Sequence, residues 1–242
     1  IVLDTETTGF EPSEGHRIVE IGAVELFNHL PTGRTYHQYI NPERGMPAGA
    51  FEVHGIGHDI LETPGKPVPG GVTLRDKPVF ARIGQAFLDF VGDAQLVIHN
   101  ASFDMKFLKF ELERMGLAAL PPSRATDTLM MARTKFPGSP ASLDALCRRF
   151  GIDNSMREKH GALLDSEILA EVYLELIGGR QPDLVLSSVT PAPARNASGE
   201  AITWRPRPRR EPLPPRITEE ELAAHAAMLA KLGDAAIWKK DV

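Results

Sequence analysis

Asp4 and Glu6 are the first residues of this chain whose type and spacing suggest chemistry. They follow the apolar triplet Ile1-Val-Leu3, which reads as a buried strand. In a strand, residues i and i+2 point to the same face, so the two carboxylates sit side by side at its end. Like charges that close repel, and burial raises the cost unless a positive charge lies between them. A hard divalent cation such as Mg²⁺ or Mn²⁺ suits a carboxylate-only ligand set. A solvated strand end is the plain alternative for this pair taken alone.

Two further clusters bear on the choice. In Leu96-Val-Ile-His-Asn-Ala-Ser-Phe-Asp104 an apolar strand runs into His99 and Asn100, and Asp104 opens a helix. His99 and Asn100 could equally fix the turn, and Asp104 could simply favour the helix N-terminus. In Glu158-Lys-His-Gly-Ala-Leu-Leu-Asp165, Asp165 lies beside an apolar helix face made of Leu164, Ile168, Leu169 and Val172. A carboxylate there needs a partner, which a metal would supply. His160 precedes that helix, and its ordinary pKa makes it a candidate general base near neutral pH, or else a surface histidine. Together the clusters offer four carboxylates, one histidine and no cysteine ligand. That is the equipment of two-metal phosphodiester hydrolysis.

The elements that must position these residues can be read from periodicity. Strands are expected over Ile1–Thr5, Arg17–Phe27, Thr35–Ile40, Leu96–His99 and Arg124–Asp127. Helices are expected over Phe80–Val91, Phe103–Met115, Thr128–Lys135, Leu143–Phe150 and Ala162–Leu176. Early consecutive strands suggest an antiparallel meander, and later alternation suggests helices covering a mixed sheet, an α/β fold. The Gly- and Pro-rich stretch Gly57–Gly71 reads as a long surface loop.

The texture changes after Gly178-Gly179. Residues 187–215 are rich in Ser, Pro, Ala and Arg and read as a flexible linker. Arg205, Arg207, Arg209 and Arg210 form a basic run in it, read as a solvated linker or as a weak contact with DNA or a partner. Thr218, with Glu221 three residues on, is a capping box, and Leu222, Ala226 and Leu229 recur at helical spacing. A short amphipathic helix beyond a linker docks on a partner or stays partly disordered.

Composition bounds the rest. The chain has 242 residues, enough for one well-buried domain and an appendage. Its net charge is −5, unlike a protein that grips duplex nucleic acid through a basic surface. Residues 179–242 carry 10 Lys+Arg and 8 Asp+Glu, a net of +2, so residues 1–178 carry −7. The acidic excess belongs to the part that holds the carboxylates. The single cysteine, Cys147, lies in an apolar helical stretch and reads as a packed thiol, compatible with a reducing cytoplasm. No run of eighteen apolar residues exists, so no membrane span is expected. The chain starts without Met, in mid-strand and without a signal-peptide pattern, as expected of a sequence trimmed at its N-terminus.

The order Asp4-Thr-Glu-Thr-Thr-Gly9, His99-Asn-Ala-Ser-Phe-Asp104, His160-Gly-Ala-Leu-Leu-Asp165 resembles the three motifs of the DEDDh 3′–5′ exonuclease family, which has a ribonuclease H-like fold. The sister branch would place Tyr at the position of Gly161. Within the family the chain is similar to the epsilon proofreading subunits of bacterial DNA polymerase III. His16–Glu25, Phe51–Ile56, Ser142–Cys147 and Leu169–Leu174 carry that likeness. The resemblance implies a ribonuclease H-like mixed five-stranded sheet flanked by helices over residues 1–178. It implies a flexible linker over 179–215 and a polymerase-binding segment over 216–242.

It implies that Asp4, Glu6 and Asp165 bind two divalent ions, Mg²⁺ or Mn²⁺, directly. Asp104 completes the set through water or the second ion, and His160 is the general base. His54 contacts the terminal nucleotide, with Glu6, Thr7, Asn100 and Phe103 as further substrate contacts. Gln181, Leu184 and Leu186 sit where the family carries a clamp-binding peptide, 181–186. The implied partners are a DNA 3′ terminus, single-stranded or frayed, the polymerase alpha subunit, the sliding clamp and a small stabilising subunit of the polymerase core. The implied location is a bacterial cytoplasm, at the replisome, with no membrane partner. The stretch after Ile56 is longer than expected for the family. Two other functions compete: an RNA-trimming exonuclease with the same motifs, and a non-catalytic adaptor between clamp and polymerase.

Overall fold

The computed structural model describes residues 1–63, 70–157, 159–179 and 217–233. The chain divides into two compact units, Ile1–Val185 and Leu186–Val242. In the first, five strands form one mixed sheet in the order β3-β2-β1-β4-β5. β1 (Val2–Thr7), β2 (Ile18–Phe27) and β3 (Leu30–Tyr39) form the antiparallel meander. β4 (Leu96–Ile98) and β5 (Ala125–Asp127) join β1 in parallel. The helices are α1 (Ala48–His54), α2 (Phe80–Val91), α3 (Ala101–Arg114), α4 (Thr128–Lys135), α5 (Leu143–Phe150) and α6 (Ala162–Leu176).

Strand periodicity sorts the core into two layers. Leu3, Ile21 and Ile98 pack with Phe80, Phe87, Phe107 and Leu108 of α2 and α3. Val2 and Val97 pack on the opposite face with Leu146 of α5 and Leu169 and Val172 of α6. The even-numbered residues of β1, Asp4 and Glu6 among them, therefore share the face covered by α6. A bulge follows Glu6, so the pairing register shifts just beyond the two carboxylates.

The fit between β2 and α6 is unusually close. A Cβ at Gly22 would lie 2.1 Å from the backbone nitrogen of Leu163, so only glycine admits α6 here. Ser166 Oγ donates to the Gly22 carbonyl at 2.9 Å. The buried Glu20 carboxylate accepts the N–H of Ala162 at 2.9 Å and takes the place of a conventional cap, because Gly161 offers no side chain. Its other oxygen lies 2.6 Å from His37 Nε2. These three contacts hold the first turn of α6, and that turn carries Asp165.

Several elements differ from the periodicity reading. α1 was not expected: Ala48-Gly-Ala-Phe-Glu-Val-His54 is short and follows Pro47. β3 begins at Leu30 rather than Thr35, because Asn28 and His29 both adopt positive φ (49° and 65°) and close a two-residue hairpin without glycine. The start of the stretch read as a surface loop is packed instead. Ile60 and Leu61 pack against the buried cluster of Val19, Met46, Ile56 and Leu74, and Met46 and Leu61 pair as a β-bridge. Residues 64–69 of that stretch lie outside the described residues.

In the second unit α7 (Glu219–Leu232) starts with the expected capping box. Thr218 Oγ1 accepts from the Glu221 N–H, and Glu221 Oε2 accepts from the Thr218 N–H at 2.8 Å. The rest of the linker reading, the Arg205–Arg210 run and the peptide with Gln181, Leu184 and Leu186, falls outside the described residues. No described helix is long and apolar enough to cross a membrane.

Candidate active site

β1 delivers Asp4 and Glu6, the first turn of α3 delivers Asp104, and the first turn of α6 delivers Asp165. Glu6, His160 and Asp165 each present a ligand atom within 4.8 Å of the others. Asp4, His160 and Asp165 line one cleft of about 620 Å³, with Asp144, Arg157, His99 and Asn100 on its walls. Asp104 is buried and accepts from Thr5 Oγ1 at 2.7 Å. It approaches from the helix on the other face of the sheet, and after burial its charge has the largest effect on Asp4.

The acids are held against their ionisation. Burial, then the charges of Asp104, Glu6 and Asp165, push the Asp4 carboxyl well above the usual carboxylate range. Burial and the charges of Asp165 and Glu20 push Glu6 up to about 8. Asp104 is raised to about 7 by burial. Carboxylates placed so that each disfavours the ionisation of the next form a strong site for a cation. Four carboxylates and one imidazole are the donor set of a hard divalent ion, so these residues fit such a group.

Arg157 is the positive charge the protein itself places here, and no spacing argument pointed to it. Its Nε and Nη2 donate to both oxygens of Asp165 at 2.5 and 2.8 Å. Nη1 donates to Asp144 Oδ1 at 2.9 Å, and Nη2 lies 2.9 Å from His160 Nδ1. His160 is half exposed at its side chain. Burial and the neighbouring guanidinium lower its pKa, which keeps the imidazole neutral near pH 7. Glu20 was also missed: it is a lone acid within the apolar run Ile18-Val-Glu-Ile21, the kind of local inconsistency that marks a site.

The other expected site residues divide between two places. Glu6, Thr7, His54 and Phe103 line a second cavity of about 540 Å³ together with Phe10 and Val53. Its walls are largely apolar, and Phe10 is 79% exposed beside it. His54 is buried: its Nδ1 accepts the N–H of Ile56 at 3.0 Å, and its Nε2 has no protein partner. Burial lowers its pKa to about 4, so it is neutral. Asn100 lies apart from this cavity, on the wall of the cleft that holds Asp4. It takes a left-handed conformation before α3, and its backbone N–H donates to Asp127. His99 Nδ1 lies 2.9 Å from Thr128 Oγ1, so His99 also helps to fix this junction.

Comparison with known proteins agrees with this geometry. The exonuclease family profile (RNase_T) matches residues 1–68 and 71–173. The DNA polymerase III subunit epsilon of Rickettsia felis is 54% identical over 184 residues, covering 75% of each chain. That of Escherichia coli (strain K12) is 41% identical over 253 residues, covering 99% of this chain and 96% of the relative. The nuclease domain of 3′hExo, a DEDDh family member solved bound to rAMP, matches with a TM-score of 0.55 at 21% identity. That match covers 73% of this chain and 90% of the other. Exonuclease I matches with a TM-score of 0.57 at 19% identity, covering 75% of this chain and 41% of the other. At such identities these two likenesses show the fold. Family profile, relatives and acid cluster converge: the chain belongs to the exonuclease family, among the bacterial DNA polymerase III epsilon subunits, and is a 3′–5′ exonuclease.

Proposed function

We propose that the chain removes mispaired nucleotides from a primer 3′ end as the proofreading subunit of a replicative DNA polymerase. The observation that supports this best is the gathering of Asp4, Glu6, Asp104, His160 and Asp165 at one end of the sheet, next to an apolar cavity whose wall includes Glu6.

Asp4, Glu6 and Asp165 would hold divalent ions, two Mg²⁺ or Mn²⁺, with Asp104 completing the set through water or the second ion. Bound there, the ions supply Lewis acidity, which makes a water nucleophilic at neutral pH and stabilises charge on the leaving oxygen. His160 takes the proton of the attacking water, a role its neutral state and its place beside Glu6 and Asp165 suit. Phe10, Phe103 and Val53 give the terminal base an apolar surface on which to stack, worth roughly 1–3 kcal/mol per base. Thr7 and the unpaired Nε2 of His54 supply polar contacts to that nucleotide, and Asn100 holds the chain on the cleft side. Selectivity then comes from fraying. A mispaired end is cheaper to unpair and reaches a single-strand site more often.

The relatives are named as subunits of DNA polymerase III, and this supports a polymerase partner here. The segment 216–242 is assigned to the alpha subunit and residues 181–186, with Gln181, Leu184 and Leu186, to the sliding clamp. A small stabilising subunit of the core is the remaining partner, and the cytoplasmic replisome is the location. Mononucleotide release from a mispaired DNA 3′ end, compared with a matched RNA strand, tests the reading. DNA should be preferred, and Asp4→Ala should lose at least a thousandfold in rate while still binding the polymerase. Preference for RNA, or undiminished hydrolysis by the variant, would overturn it.

A further inference from the structure

Arg157 sits where a cation site and an arginine compete for the same carboxylate. Both Asp165 oxygens accept from its guanidinium, at 2.5 and 2.8 Å, in the bidentate form that makes such pairs strong. The pair is nearly closed to water, with the side chains 8% and 4% exposed. Each Asp165 oxygen keeps a second lone pair, but an ion bound there would stand against a fixed positive charge a few ångström away. The same guanidinium reaches the base. Nη2 lies 2.9 Å from His160 Nδ1 and 3.4 Å from Nε2, so Nδ1 is its nearer partner. A neutral imidazole has one accepting nitrogen. While Nδ1 accepts from Arg157, Nε2 carries the proton and His160 has no lone pair left for a water proton.

The third arm has a different partner. Nη1 donates to Asp144 Oδ1 at 2.9 Å, and the side chain of Asp144 is 46% exposed. Asn154 Nδ2 steadies the same Asp144 oxygen at 3.0 Å. Asp144 lies outside the acid cluster, so it can keep the guanidinium after Asp165 has let go.

We propose that Arg157 is a positioning residue that acts as a latch: its guanidinium competes with the divalent ion for Asp165 and, while it holds Asp165, keeps His160 from acting as a base. Ion binding moves Arg157 onto Asp144 and frees the imidazole in one event. The centre thus arms its base only when the ion is present. The inference rests on the reading of Asp165 as an ion ligand.

The test uses the full chain, stripped with a chelator and titrated with Mn²⁺ alone, with free Mn²⁺ followed by electron paramagnetic resonance. Arg157→Gln should bind Mn²⁺ at least tenfold more tightly than the wild type. A merely structural arginine would give the opposite sign, because a disordered site binds ions less well. Equal or weaker binding by Arg157→Gln overturns the latch and leaves the ion site standing. Failure of the wild type to bind Mn²⁺ overturns both. A second measurement needs no variant: the Nε–H resonance of Arg157 should be protected from solvent exchange in the stripped protein and lose that protection with saturating Mg²⁺. Protection that survives Mg²⁺ overturns the proposal.

Discussion

Asp4, Glu6 and Asp104 are the residues at which fold and function pull against each other. The fold buries them together, and each raises the others' cost of ionising. Glu6 goes from the ordinary 4.5 to about 8 and Asp104 from 3.8 to about 7. The folded chain thus binds these protons more tightly than the unfolded chain. Their contribution to stability is complete below about pH 4 and is lost as pH rises through 7 to 8. In chelator, the melting temperature should therefore fall by several degrees between pH 5 and pH 8. Mg²⁺ should restore it, with an increment that grows with pH. A thermal unfolding series in both buffers checks this; an increment from Mg²⁺ that is zero at pH 8 would contradict the ion site.

At the scale of elements, the decisive contact is that between β2 and α6. Asp165 reaches the cluster because the backbone of α6 lies directly on Gly22, held by Ser166 and Glu20. Gly22→Ala forces a methyl group against the Leu163 backbone. Overpacking of this kind costs about 1–3 kcal/mol, and the helix that moves carries a catalytic ligand. Lower thermal stability and a reduced turnover number with little change in KM are expected, from unfolding curves and nucleotide-release kinetics. Wild-type values for both would show that this contact does not position Asp165.

The same element shows what a single sequence reveals. The i, i+2 spacing placed Asp4 and Glu6 on one face, and the apolar stripe placed Asp165 on a helix, because strand and helix periods are local properties. Glu20 capping α6 from 142 positions away in sequence is a tertiary fact. So is Arg157 between Asp144 and Asp165. α1 and the early start of β3 escaped for another reason. α1 spans only seven residues after Pro47, and β3 opens with Pro31 and Gly33, so neighbours across the sheet and loop decide their state.

On the scale of the whole molecule, the first unit is a sheet with helices on both faces, and it gathers its chemistry where the strand order turns about β1. The three motifs come from β1, the β4–α3 junction and the start of α6, and meet only because β1 is central. Of the residues described after Gly179, those of α7 belong to the second unit. The central claim is that the acid cluster is an ion centre. Anomalous scattering from a crystal soaked in Mn²⁺ measures this most directly. The account predicts two manganese peaks about 3.5–4 Å apart, bounded by Asp4, Glu6 and Asp165. Manganese bound elsewhere, with these carboxylates bare, would contradict it.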